Sequence, residues 1–118
     1  LTVDRQTFSR PQRLRRSEDI SLVLKAGHRL RGDPVTLTFL CREGEGPVRA
    51  GFIVRRKLGP AVCRNLMKRR MREAYRRARS SGHPPCDLVF SAQRTADYRE
   101  VSQAISGLLV KVRERSDG

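Results

Sequence analysis

The stretch from Gly59 to Arg79 limits the possible folds more than any other part of the chain. On a helical wheel at 100° per residue with Arg64 at zero, Cys63, Met67, Met71, Ala74 and Ala78 fall between about 260° and 340°, with Leu66 and Tyr75 at the margins. Arg64, Lys68, Arg79, Arg72, Asn65, Arg76 and Arg69 fall between about 0° and 140°. The two arcs adjoin without mixing, so burying the apolar one fixes where the basic one points. Gly59 permits a tight turn, and Pro60 suits the first helical position, where its missing N–H would have no partner. The free N–H groups of that helix start add a site for anions.

Glu73 is the only acid between residues 60 and 79, so the basic arc cannot neutralise itself through i,i+4 pairs. A charged helix face is ordinarily just a solvated face. Here the charge is one-sided and mostly arginine, whose planar fork grips phosphate bidentately and stacks on bases. The pattern implies an external polyanion, and nucleic acid fits it best.

The whole chain carries the same bias. Its 26 basic and 12 acidic residues give a net charge of +14. Self-repulsion of that size in the free protein favours association with a polyanion. Tryptophan is absent and there are only four phenylalanines and two tyrosines, so a general base-stacking surface is thinly supplied. No apolar run approaches the roughly 20 residues of a membrane helix, and residues 1–16 lack the apolar centre of a secretory signal. The basic helix also lacks the bulky anchors of a membrane-surface helix. Cys41, Cys63 and Cys86 are odd in number and show no CxxC spacing. Each sits in an apolar pattern, which predicts buried free thiols in a reducing cytoplasm.

The remaining elements follow in order. Residues 1–16, with Arg5, Arg10, Arg13, Arg15 and Arg16 around Pro11, read as a basic N-terminal arm. Ser17-Glu18-Asp19-Ile20 opens a short helix with Ser17 as N-cap, an apolar side of Ile20, Val23 and Leu24, and Gly27 as its end. Residues 28–33 form a basic connector exposing Arg29 and Arg31, with room for one more short strand. Val35, Leu37, Phe39 and Cys41 alternate with Thr36, Thr38 and Leu40. After a Gly-rich turn at 43–47, Val48, Ala50, Phe52 and Val54 alternate with Arg49, Gly51, Ile53 and Arg55. These two runs predict a hairpin. Residues 80–85 break the long helix, 86–91 read as a buried strand, and Tyr98–Arg115 as a final helix cored by Val101, Ile105, Leu108, Leu109 and Val112. The 48–55 and 86–91 strands flank the long helix as a βαβ unit if they run parallel. The fold class is α+β, a two-layer α/β sandwich with a mostly antiparallel sheet, in one domain spanning 1–118.

Catalytic groups are scarce. Asp33, Glu43, Glu45, Asp87, Asp97 and Glu100 are scattered, whereas metal-dependent nucleases need convergent carboxylates. His28 and His83 lie in a connector and a loop, where a solvated role outweighs a general base. No metal-ligand spacing or Gly-rich phosphate loop is present.

Arg64-Asn65-x-x-Lys68-Arg69-x-x-Arg72, preceded by Arg49-Ala50-Gly51-Phe52-x-Val54-x-Arg56-Lys57-x-Gly59, resembles the signature of the bacterial ribonuclease P protein family. Leu14-Arg15-x-Ser17-Glu18-Asp19-Ile20-x-x-Val23-Leu24-Lys25-x-Gly27 resembles that family's first helix, and the similarity spans roughly residues 10–112. The resemblance implies a left-handed βαβ crossover, an exception to the right-handed rule. It also implies a place in a ribonucleoprotein that hydrolytically removes the 5′ leader of precursor transfer RNA. In that family the RNA subunit, with magnesium bound mainly to it, is the catalyst, and the protein is expected in the cytoplasm with no obligate protein partner.

By motif match, Arg64, Asn65, Lys68, Arg69 and Arg72 contact the catalytic RNA, flanked by Arg56 and Lys57 and continued by Arg76. A cleft between the sheet face and this helix holds the leader, with Ile20, Leu24, Thr36, Thr38, Ile53 and Arg55 at the matching positions. Two departures stand out: Leu66 replaces a frequent third arginine, and Ile20 and Leu24 replace frequent phenylalanines. Stacking on a base contributes roughly 1–3 kcal/mol, which aliphatics cannot supply, so recognition would lean on backbone charge. A plain core role fits Ile20 and Leu24 equally well. A non-enzymatic ribosomal RNA-binding protein is the alternative function, since it shares the basic α/β composition.

Overall fold

Seven elements and a 3-10 turn carry the fold in a computed structural model that describes residues 17–41, 48–79 and 86–117. In order they are α1 (Ser17–Ala26), β1 (His28–Leu30), β2 (Val35–Cys41), β3 (Arg49–Ile53), the turn Arg56–Leu58, α2 (Ala61–Ala78), β4 (Cys86–Ala92) and α3 (Tyr98–Asp117). The basic arm at 1–16, the turn at 43–47 and the 80–85 loop with His83 lie outside the described residues.

The four strands form one sheet in the order β1-β2-β4-β3. β1 pairs antiparallel with β2 and β2 with β4, while β3 runs parallel to β4. The sheet is therefore mixed and mostly antiparallel, and β3-α2-β4 is the expected βαβ unit. The expected β2–β3 hairpin is wrong, because β4 lies between the two strands. Alternation shows that each strand has a buried and a less buried face, but it does not name the neighbour. The signal for β4's central place is its unbroken burial from Cys86 to Phe90, since a strand flanked on both edges and covered on both faces has little exposed surface.

The register sorts the side chains into two faces. Val35, Leu37 and Phe39 of β2, Leu88 and Phe90 of β4, and Ala50 and Phe52 of β3 join Met67, Met71, Ala74 and Tyr75 of α2 and the five predicted residues of α3 in the main core. Phe52 stacks on Phe90 at 5.5 Å between centroids, and Tyr75 meets both rings at 6.0 and 5.5 Å. Burial pushes the Tyr75 hydroxyl up to about 12. This aromatic trio fastens the C-terminal half of α2 to the sheet.

The opposite face carries Thr36, Thr38 and Leu40 of β2 beside Ser91, Val89 and Asp87 of β4 and Ile53, Gly51 and Arg49 of β3. Among the described residues, the helix that lies on it is α1, through a small cluster of Val23 and Val89 with Ile20, Leu40 and Ile53. The close of α1 is tight: a Cβ at Gly27 would stand 2.5 Å from the Val23 carbonyl oxygen and 2.6 Å from that of Phe39. Any larger residue there would push the helix off β2.

The cysteines depart from expectation. Cys41 and Cys86, register partners at the end of the β2–β4 ladder, form a disulfide, and Cys63 is free but exposed. Spacing in sequence could not show that pairing, because it arises from the register of strands 45 residues apart.

Candidate nucleic-acid interface

The basic helix is presented by its own entry. Gly59 adopts φ 140°, a conformation open essentially to glycine, between the 3-10 turn and α2. Pro60 is the residue just before the helix rather than its first, and the Arg64 amide donates to the Pro60 carbonyl at 3.0 Å. The Arg64 Nε donates to the Gly59 carbonyl at 3.1 Å, holding that side chain along the helix start.

From Arg55 to Arg72 the cations are open. Arg55, Arg56, Lys57, Asn65, Arg69 and Arg72 are exposed, and Arg64 and Lys68 are half-buried. Among the described residues, no carboxylate lies within ion-pairing distance of any of these cations. Arg70, between them, is used internally: its Nη1 donates to the Ala96 carbonyl at 2.6 Å, tying α2 to the segment before α3.

Further along, Glu73 changes the pattern. Its carboxylate accepts from Arg76 Nε at 2.8 Å and Nη2 at 2.5 Å, and from Arg77 Nε at 2.8 Å. Those bonds, Arg76's foremost, hold the Glu73 carboxyl down to about 2. Arg76 is thus committed within the helix, which corrects its place in the open stripe. Cys63, expected on the buried side, is exposed along with Val62 and Leu66, so the main core that encloses Met67 and Met71 does not reach the first turn of α2.

The structure separates the expected leader residues by exposure. Thr36 and Thr38 are 5% and 4% exposed and floor the α1 face rather than projecting from it. Thr36 Oγ1 donates to the Gly32 carbonyl at 3.3 Å. Ile20 and Ile53 are half-buried in the α1 cluster, as a core role requires, whereas Leu24 and Arg55 are exposed. The expected cleft between this sheet face and the basic helix is corrected too. α2 packs on the other face, and the helix that borders Thr36, Thr38 and Ile53 is α1.

Sequence reasoning missed the polar anchor of this face. Arg49 grips Asp87 through Nε at 2.8 Å and Nη2 at 2.7 Å, and Asp19 of α1 lies close enough to reinforce the Arg49 charge. Thr36, Thr38 and Asp87 are the buried polar residues among those described, and all three belong to the α1 face. Among the described residues, one side of the sheet is an oily core, and the other has a polar floor beneath the short helix α1.

Among the described residues, no three of His, Cys, Asp and Glu come together as a metal site. None of the described helices is long and apolar enough to cross a membrane.

Known proteins are similar to this chain in both sequence and fold. Residues 8–113 match the family model described as Ribonuclease P. The ribonuclease P protein component of Oleidesulfovibrio alaskensis is 38% identical over 113 residues, covering 93% of this chain and 90% of the relative. That of Herpetosiphon aurantiacus is 37% identical over 105 residues, covering 86% and 85%. Among solved structures, the RNase P protein of Thermotoga maritima, bound to a substituted phenylthiourea, superposes with a TM-score of 0.72 at 28% identity, over 81% of this chain and 95% of that one. The Staphylococcus aureus RNase P protein shares the fold, with a TM-score of 0.74 at 23% identity over 86% and 97%.

Proposed function

Because this chain belongs to the ribonuclease P protein family, we propose that it is the protein subunit of a ribonuclease P that matures the 5′ ends of transfer RNAs in the cytoplasm. It binds the catalytic RNA subunit through Arg56, Lys57, Arg64, Asn65, Lys68, Arg69 and Arg72. It receives the precursor's leader beside α1, where Leu24 and Arg55 are exposed over the polar floor. The observation that carries this reading is the row of cations from Arg55 to Arg72 that no carboxylate among the described residues neutralises.

Hydrolysis of the phosphodiester requires a nucleophilic water and stabilisation of the departing oxygen, which magnesium supplies in such reactions. In this reading that ion belongs to the RNA partner. The work left to this chain is electrostatic. Its guanidinium groups displace counterions from two phosphate backbones at once, which lowers the cost of bringing leader and RNA subunit together.

Precursor cleavage at low magnesium should appear only when this protein and a bacterial catalytic RNA are combined. Cleavage by the protein free of RNA would overturn the division of labour.

A further inference from the structure

The sheet order puts β1 at the edge opposite β3, three strand spacings or about 14 Å across the face. Arg29 is the register partner of Thr38, so its side chain emerges on the α1 face, in a row with Val89 and Gly51. The alternation is visible in its neighbours. His28 packs toward the other side against Phe39 at 5.5 Å between ring centroids, and Leu30 is buried in the main core. Arg31 follows, and both arginines are exposed.

Among the described residues, neither Arg29 nor Arg31 has a hydrogen-bond or ion-pair partner. The acid nearest in sequence, Asp33, is taken: it accepts from Arg94 Nε at 2.9 Å, while Arg94 Nη2 reaches Glu100 at 2.7 Å. A charge on an edge strand discourages pairing with other sheets, and one is enough for that. Arg31 lies one residue past the end of β1, so the two exposed guanidinium groups hang from neighbouring positions at one sheet edge, a pair that can engage phosphates of the same single strand.

We propose that Arg29 and Arg31 form a second phosphate-binding site, at the far edge of the α1 face, for the upstream part of the substrate's single-stranded leader. The inference rests on the function proposed above. It assigns the site to substrate rather than to the catalytic RNA, whose contacts on α2 begin beyond the opposite edge. Only a leader long enough to cross the face reaches it.

The test uses the reconstituted holoenzyme and two precursors, one with a leader of a few nucleotides and one long enough to span the sheet. Arg29→Ala with Arg31→Ala should weaken binding of the long-leader precursor about five- to tenfold. It should also lower the salt dependence of that binding by about 1.4 in log–log slope. The short-leader precursor, the affinity for catalytic RNA and the thermal midpoint should not move. Arg29→Lys with Arg31→Lys should restore the slope. Equal losses on both precursors, no loss on either, or weakened RNA-subunit binding would each overturn the site. No preference of the unaltered holoenzyme for the longer leader would overturn this site alone, whereas equal affinity for a leaderless transfer RNA would overturn the leader reading itself.

Discussion

The two halves of α2 have nearly the same composition and opposite fates. In the C-terminal half, Tyr75 is 2% exposed, Met71 and Ala74 are buried, and Glu73 engages Arg76 and Arg77. In the N-terminal half, Val62 is 79% exposed and Leu66 42%, and Arg69, like Arg72 just past the midpoint, has no acid to bind among the described residues. Positive charge alone therefore does not mark the interface. The difference is one carboxylate and how far the main core extends along the helix, and on the function proposed above it divides α2 into an anchor and an RNA reader.

The anchor is where the largest effect is expected. Tyr75→Ala empties the site packed against the Phe52–Phe90 stack and should cost about 3–5 kcal/mol of unfolding free energy in urea denaturation. A loss below about 1 kcal/mol would mean that the aromatic trio does not hold the helix. Gly59→Ala acts at the other end. A Cβ there would meet only the Cys63 Cβ at an ordinary 3.5 Å, so the cost is backbone strain at φ 140°, about 1–3 kcal/mol. Because this turn aims the reader half, RNA affinity should fall with stability; unchanged affinity would show that the entry geometry is not what presents the cations.

Arg69→Ala with Arg72→Ala should do the reverse of Tyr75→Ala. Stability should move by no more than about 0.5 kcal/mol, while affinity for the catalytic RNA drops about tenfold or more at moderate salt. Arg76→Ala with Arg77→Ala should leave that affinity nearly unchanged, since those groups face Glu73. Similar losses from the two pairs would erase the distinction between the halves.

Much of this could be read from the chain alone, wherever the evidence was local. Period 3.6 placed Met67, Met71 and Ala74 inward and placed all five core residues of α3, because those turns of both helices are enclosed in the main core. The same period misplaced Cys63, since helical phase says which way a residue points and not how far its cover extends. Alternation put Thr36 and Thr38 on the correct face, but it could not show that they are buried there under α1. The partners of long-range pairs were illegible: Arg49 and Asp87 are 38 residues apart, and the Cys41–Cys86 pair depends on the same strand register. The missed hairpin has the same cause. In the candidate site, the motif residues stood out by type and spacing, but which of them were already spent could be learned only from geometry.

The smallest effect is the most discriminating, because it concerns the single acid that separates the halves. Glu73 titrates near 2 when folded against 4.5 ordinarily. A depressed carboxyl contributes stability that is fully present above its unfolded value and lost as pH falls from there through about 2. Glu73→Gln should therefore flatten the acid limb of the stability curve between roughly 4.5 and 2, modestly, because the carboxylate is partly exposed and screened. At neutral pH the same change releases Arg77, an exposed guanidinium, from its partner. If the neutralising acid is what keeps the C-terminal half out of the interface, the variant should bind the catalytic RNA more tightly at low salt, with a slope steeper by up to about 1. An unchanged slope together with a flattened acid limb would show that the anchor half lies beyond the reach of RNA whatever its charge, and that position, rather than pairing, draws the boundary.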